Sequence, residues 1–406
     1  MPRSFLLDLT HTSHTRARTG VQRVARSMAA ALGERALPVT FDPYLRAWRP
    51  LASFERANLA AVAPARKRGG RWPLAARLRG RLGRWCGIGG GGLDGGAPGD
   101  AGLIVPEIFS PAVAGALPAL FARVRGPRVA IFHDAIALQL PELTPAKSVA
   151  RFPSYLRELL VFDGIAAVSE DSRRSLVDYW DGLGASSRPP VVAISLAVDP
   201  PDLGRARAGG PQPAGSSPGA GQAAAPIILC VASIEGRKNQ ASLLDACERL
   251  WAGGGRFELR LIGVAQRETG RAALEKIEAL RRAGRPLRYD GPVDEATLAA
   301  AYRECAFTVY PSLREGFGLP VLESLAYGRP CICAAQGALG EAARGGGCLA
   351  LGSVDADSLA AAVGGLLANR DLLAQLGAAA RSRRFKTWPE YVRELSDWTD
   401  TLRLKS

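Results

Sequence analysis

The sequence is short of histidine, cysteine pairs and long apolar runs. There are three histidines in 406 residues. His11 and His14 offer two possible metal ligands, with no third partner near them in sequence, so a metal centre is not expected there. Seven cysteines are scattered without a C-x-x-C pair. That reads as reduced, buried thiols rather than a disulfide framework, with Cys331 and Cys333 alternating on one short strand. No apolar run reaches the roughly 18 residues needed to cross a bilayer as a helix. The N-terminus, Met1 to Asp8, turns polar before a hydrophobic leader can develop, so no secretory signal is expected. These absences point to a cytoplasmic protein.

Acidic residues are also outnumbered, 38 against 52 Lys and Arg, for a net charge of +14. Such a balance attracts nucleic acid, anionic lipid or phosphorylated substrates. The excess is uneven: residues 64–85 hold eight Lys and Arg and no acid. Within them Leu74, Leu78, Leu82 and Trp85 share one helical face ringed by Arg77, Arg79, Arg81 and Arg84. That pattern suits adsorption on an anionic membrane surface, although a basic loop covering the first domain accounts for it equally. No nucleic-acid recognition motif accompanies the charge, and no nucleic-acid partner is expected.

The chain is long enough for two or three domains, and 47% hydrophobic residues supply their cores. Strand and helix signals alternate in both halves, which predicts an α/β fold with mostly parallel sheets. Ser4–Leu9, Gly102–Pro106, Arg128–His133, Gly164–Val168 and Val191–Ala197 read as strands of a first domain, 1–203, with a basic and then glycine-rich insertion at 64–100. A Gly, Pro, Ala and Ser stretch at 204–225 reads as a flexible linker. Pro226–Ala232, Phe257–Gly263, Leu287–Tyr289, Ala306–Tyr310 and Cys331–Ala334 are the strands of a second domain, 226–384. Residues 385–406 form a terminal helix with Val392, Leu395, Trp398 and Leu402 on one face.

Two segments of the second domain carry chemistry. In Ile228–Asn239 a buried strand ends in a loop bearing Arg237 and Lys238 just before a helix. A helix start presents free N–H groups and a positive dipole end to an anion, and the two cations add to it. Read alone, they are equally two solvated charges on a loop. In Tyr310–Glu323 a strand stops at Pro311, and Gly316 and Gly318 permit a tight turn. Pro320 then opens a helix. Glu315 sits on the loop and Glu323 in the first helical turn. Taken singly, these are a turn residue and a helix-dipole partner.

In combination and order, these segments resemble the E-x7-E motif and the lysine-bearing loop of family 4 retaining glycosyltransferases. The likeness extends to Gly291-Pro-Val293 with Leu298 and Tyr302, and is strongest over 226–345. It implies a GT-B fold: two Rossmann-like domains with parallel sheets facing a cleft, the terminal helix crossing back to the first. It implies that Glu315 contacts the transferred sugar, that Glu323 binds the nucleotide ribose, and that Arg237 and Lys238 hold the diphosphate. Gly316, Phe317, Gly318, Leu319 and Val293 would line the nucleotide site. In the first domain, Thr19-Gly20-Val-Gln-Arg23 resembles the glycine turn that faces the donor phosphates. His133 resembles the cleft histidine that contacts the transferred sugar. One departure stands out: many members place an arginine where Ser233 stands here, and Arg237 is expected to take part of that role.

The resemblance implies a metal-independent, retaining hexosyltransferase with no cofactor beyond its nucleotide-sugar donor, GDP-, UDP- or dTDP-linked. The Gly20 opening is similar to bacterial polysaccharide mannosyl- and rhamnosyltransferases, which favours GDP-mannose. The acceptor would be a glycan or lipid-linked glycan in cell-surface polysaccharide synthesis, with the enzyme peripheral on the inner face of the cytoplasmic membrane. The alternative is a catalytically silent GT-B module that binds glycan or a membrane partner. Two other signals are weak. Gly87–Gly92 matches G-x-G-x-x-G but follows no strand and opens no helix. Asp355-Ala-Asp357, the one D-x-D, precedes the apolar stretch Leu359–Leu367 and reads as a helix cap.

Overall fold

The computed structural model describes residues 3–17, 19–61, 72–86, 100–198 and 225–405. Residues 204–224 of the linker expected at 204–225 and the glycine cluster at 87–92 lie outside them. The chain divides into two compact units. One comprises Met1–Pro141, Ala146–Ala197 and Lys386–Ser406, the other Glu142–Pro145 and Val198–Phe385.

The first unit holds seven strands: β1 (Phe5–Asp8), β2 (Ala36–Asp42), β3 (Ala47–Pro50), β4 (Gly102–Val105), β5 (Arg128–Phe132), β6 (Gly164–Ala167) and β7 (Val191–Ala193). They form one sheet in the order β3-β2-β1-β4-β5-β6-β7. β1, β4 and β6 are buried along their whole length, as expected of central parallel strands covered by helices on both faces. The sheet is mostly parallel, as expected, with one exception: β3 pairs antiparallel with β2 at the edge. Its hairpin is set by Asp42, whose Oδ1 accepts from the N–H groups of Tyr44 and Leu45, both at 3.0 Å. Arg46 completes the turn at φ 57°.

The second unit holds β8 (Ile227–Val231), β9 (Glu258–Ile262), β10 (Leu287–Tyr289), β11 (Phe307–Tyr310), β12 (Cys331–Ala334) and β13 (Cys348–Leu351). These are all parallel, in the order β10-β9-β8-β11-β12-β13. Helices Gln240–Ala252 and Ala356–Ala368 close one face over a core that includes Leu243, Trp251, Phe257 and Leu359. Asp355 caps the second of these through the Ser358 N–H at 2.8 Å.

In both sheets the strand order reverses direction once, between β1 and β4 in the first and between β8 and β11 in the second. The loops leaving the carboxyl ends of such a strand pair diverge to opposite faces and open a crevice, which is where open α/β sheets hold ligands.

The terminal helix Trp388–Thr399, capped by Thr387 and Glu390, packs in the first unit on the helix Gly20–Leu32. The Lys405 N–H donates to Asp163 at 2.7 Å, and Asp163 in turn is paired with Arg128. Among the described residues no helix is long and apolar enough to cross a membrane. The expectation of uniformly buried thiols is also corrected: all seven cysteines are free, but Cys86 is exposed and Cys348 only half-buried.

Candidate functional site

The two loops at the second sheet's reversal point carry the predicted motif. After β8 the chain makes a tight 3-10 turn, Gly236–Lys238, and Asn239 takes a left-handed conformation to start the helix Gln240–Ala252. Asn239 tolerates that backbone because its side chain is anchored: Nδ2 donates to the Val354 carbonyl at 2.8 Å. The loop after β11 is tied to this turn by the Leu313 N–H, which donates to the Arg237 carbonyl at 2.9 Å.

The side chains then converge on a single atom, Oε1 of Glu315. Lys238 Nζ donates to it at 2.5 Å, the Tyr310 hydroxyl at 3.0 Å and Arg237 Nη1 at 3.2 Å, and the Ser312 hydroxyl donates as well. Lys238 Nζ also donates to the Tyr310 hydroxyl at 2.6 Å. Burial alone would raise the Glu315 carboxyl, but the Lys238 and Arg237 charges outweigh it and hold the group down at about 2. Lys238 is itself pushed below the usual lysine range, by burial first and by Arg237 second. Glu315 is therefore a carboxylate at any physiological pH.

This geometry adds partners that the sequence did not show. Arg237 and Lys238, expected to hold the diphosphate, each pair with a carboxylate. Arg237 Nη2 pairs with Glu235 at 3.0 Å and Lys238 with Glu315. Donors that remain open at this sheet end are the backbone N–H groups of Phe317, Gly318 and Leu319, which donate to no described residue. Gly318 is required here. Its φ is +94°, and a Cβ would stand 3.0 Å from the Leu339 side chain.

Glu323 is buried, and its Oε2 accepts from the Tyr302 hydroxyl at 3.1 Å. The Tyr302 ring stacks on Tyr327 at 5.1 Å. The helix begins at Leu319, with Pro320 as its second residue, so Glu323 lies in the second turn rather than the first. A helix-dipole role is thereby removed, since that effect fades beyond the first turn. Val293 is half-buried against the apolar cluster around Tyr302 and contributes wall without a polar group.

His133 and Gly20 belong to the first unit. His133 follows β5, and its Nε2 donates to the Pro106 carbonyl at 2.8 Å. Burial lowers its pKa, with the Pro106 bond and Asp134 pulling the other way. The imidazole is thus neutral, and Nδ1 is its acceptor. Gly20 is exposed at the first position of its helix, after a Thr19–Gln22 capping box. Both ring nitrogens of His14 are engaged: Nδ1 faces the Thr10 carbonyl at 2.6 Å and Nε2 faces Glu55 at 2.7 Å. Among the described residues no cluster of three or more His, Cys, Asp or Glu side chains is placed to hold a metal ion.

Three members of the Glu315 cluster were not singled out from sequence: Glu235, Tyr310 and Ser312. Tyr310 carried the one usable signal, a hydroxyl at the buried end of a strand, where it must find a polar partner.

Residues 225–369 match the family described as Glycosyl transferases group 1. A D-inositol 3-phosphate glycosyltransferase of Geodermatophilus obscurus is 34% identical over 243 residues, covering 57% of this chain and 51% of that protein. The serotype-specific mannosyltransferase WbdA of Escherichia coli is 24% identical over 349 residues, covering 81% of this chain and 38% of WbdA. The chain thus spans about half or less of the length of these relatives. Among solved structures, Anabaena HepE in complex with UDP and glucose has a TM-score of 0.66 at 15% identity, covering 98% of this chain and all of that one. Sucrose-phosphate synthase from Thermosynechococcus elongatus has a TM-score of 0.61 at 17% identity, covering 98% of each chain. The fold is that of the GT-B glycosyltransferases.

Proposed function

We propose, for a chain whose residues 225–369 belong to the Glycosyl transferases group 1 family and whose fold is GT-B, that it moves a hexose from a nucleotide-sugar donor to a glycan or lipid-linked glycan acceptor with retention of anomeric configuration. The observation that carries this reading is the convergence of Arg237, Lys238, Tyr310 and Ser312 on one Glu315 oxygen at the reversal point of the second sheet. A carboxylate held rigidly in one orientation suits the positioning of sugar hydroxyls. Its cationic neighbours and the open N–H groups of 317–319 suit the diphosphate on which charge develops as the glycosidic bond breaks. Glu323, oriented by Tyr302, is assigned the ribose hydroxyls.

Neutralisation of the leaving diphosphate is assigned to protein groups, so transfer should proceed without a divalent metal. A GDP-mannose donor is favoured by the relatives named as mannosyltransferases. A second surface fits a lipid-linked acceptor. The helix Leu74–Trp85 packs on its unit through Gly80, where a Cβ would meet Tyr44 at 2.8 Å. Its large apolar side chains point outward, with Leu74 71% and Trp85 86% exposed. Arg77 and Arg81 lie over the Tyr44 ring. An apolar face ringed by arginine suits the interface of an anionic membrane.

The test is a thermal-shift panel of UDP, GDP, dTDP and ADP with their sugar conjugates. A ligand at a hundredfold excess over Kd adds about 2.7 kcal/mol of stability. Glu315→Ala should keep nucleotide binding and lose transfer. Nucleotide binding without turnover on any sugar conjugate would favour the silent module instead.

A further inference from the structure

The first sheet has its own reversal point, between β1 and β4, and the crevice above it is lined by groups that the donor chemistry does not use. Asp8 ends β1, and Glu107 stands two residues beyond β4. They face a cavity of about 250 Å³ whose walls include Phe41, Trp72, Ile108 and Phe109. Glu107 is occupied: its Oε2 accepts from the N–H groups of His11 and Thr12 at 3.2 and 3.1 Å, and its Oε1 from the Thr12 hydroxyl. It holds the 10–14 loop in place as one wall. The His11 ring lies 3.7 Å from Glu107, so the nearest imidazole is already engaged by that carboxylate.

Asp8 is different. It is 2% exposed, and Thr10 satisfies only Oδ1, through its N–H at 2.9 Å and its hydroxyl at 2.5 Å. Among the described residues nothing donates to Oδ2, although Asp8 lines the cavity. Burial lifts the Asp8 carboxyl to about 7, with the Thr10 hydroxyl pulling it down and Glu107 adding to the rise. At neutral pH it exchanges between accepting and donating, which matches a hydroxyl ligand.

We infer that this cavity binds a neutral pyranose of the acceptor, with Asp8 Oδ2 taking a ring hydroxyl and the Phe41 and Phe109 walls covering the C–H groups of the sugar. This rests on the glycosyl-transfer reading and narrows its acceptor. The volume admits one sugar ring. Two adjacent carboxyl groups select against a phosphorylated ligand, because placing an anion beside Glu107 in a half-enclosed site is electrostatically costly. An inositol phosphate, the substrate in the name of one relative, is the class this pocket rejects.

The experiment uses the full chain and saturation-transfer NMR with two probes, methyl α-D-mannopyranoside and myo-inositol 1-phosphate, and GDP and UDP titrated separately. The pyranoside should bind in the millimolar range and the inositol phosphate at least tenfold more weakly. Asp8→Asn, which keeps the Thr10 bonds, should weaken pyranoside binding at least fivefold. Ala112→Trp, at an exposed position on the rim, should abolish it with an unchanged Tm. Nucleotide affinity should be unaltered in both variants. Absent pyranoside binding, pyranoside affinity equal in wild type and both variants, or inositol phosphate binding as tightly as the pyranoside would each overturn the inference. Failure of both nucleotides to bind wild type would instead overturn the donor assignment, and the pyranoside arm would still report on this pocket.

Discussion

Lys238→Met tests whether the Glu315 cluster is a coupled unit. The two side chains are 9% and 10% exposed, so solvent screens them little. Holding the Glu315 carboxyl at about 2, against an ordinary 4.5, corresponds to roughly 3 kcal/mol of favourable interaction with the charged form. Arg237, at 3.2 Å, keeps part of that when Lys238 is removed. The single substitution is therefore expected to cost about 2–3 kcal/mol, near the lower end for breaking a buried pair. Lys238→Met with Glu315→Gln should cost less than the sum of the singles by about 1–2 kcal/mol, because neither charge is then left alone.

Two units need not unfold together, so the assay is hydrogen exchange followed in peptides of β8 and β11. The sign with pH follows from the depressed pKa. The contribution is fully present above the unfolded value of 4.5 and is lost as pH falls toward 2. Strict additivity of the two substitutions, or protection in β8 and β11 that stays flat from pH 5 to pH 3, would refute the coupled-cluster argument.

Other substitutions probe separate links. Gly318→Ala forces a Cβ onto a φ of +94° and toward Leu339, and should cost about 1–3 kcal/mol with weakened nucleotide affinity by calorimetry. Unaltered nucleotide affinity would remove the 317–319 backbone from the anion site. Glu55 is fully buried between His14 and Arg49, whose Nη1 donates to it at 2.7 Å. Glu55→Ala should cost the first unit about 3–5 kcal/mol in urea titration while leaving GDP and UDP binding unchanged. Leu78→Asp with Leu82→Asp alters only exposed positions, so the Tm should hold while flotation with phosphatidylglycerol vesicles is lost. Equal flotation of this variant and wild type would exclude the helix as the membrane contact.

The alternation of strands and helices was readable in the chain because buried parallel strands are short apolar runs and their covering helices carry a 3.6-residue period. The strands missed were those where that signal fails. β2 contains Pro38, β3 is the antiparallel arm of a hairpin, and β13 is only Cys348–Leu351. Glu315, Glu323, Arg237 and Lys238 were marked as candidates by the combined spacing and order of their two segments, which neither segment carried alone. Helical periodicity also marked Leu74, Leu78, Leu82 and Trp85 as one face, but could not say whether that face points inward. Gly80 against Tyr44 decided that it points out.

Spacing could not report that Glu235, Tyr310 and Ser312 join the same cluster, or that Glu315 pairs with both cations. Nor could it bring Asp8 and Glu107 to one cavity. They meet because β1 and β4 are neighbours in the sheet, with Leu7 paired to Ile104. Local sequence determines which segments become strands and which loops carry charge. Strand order is settled by the packing of whole sheets and helices, and only that order determines which loops converge and which carboxylate oxygen is left without a donor.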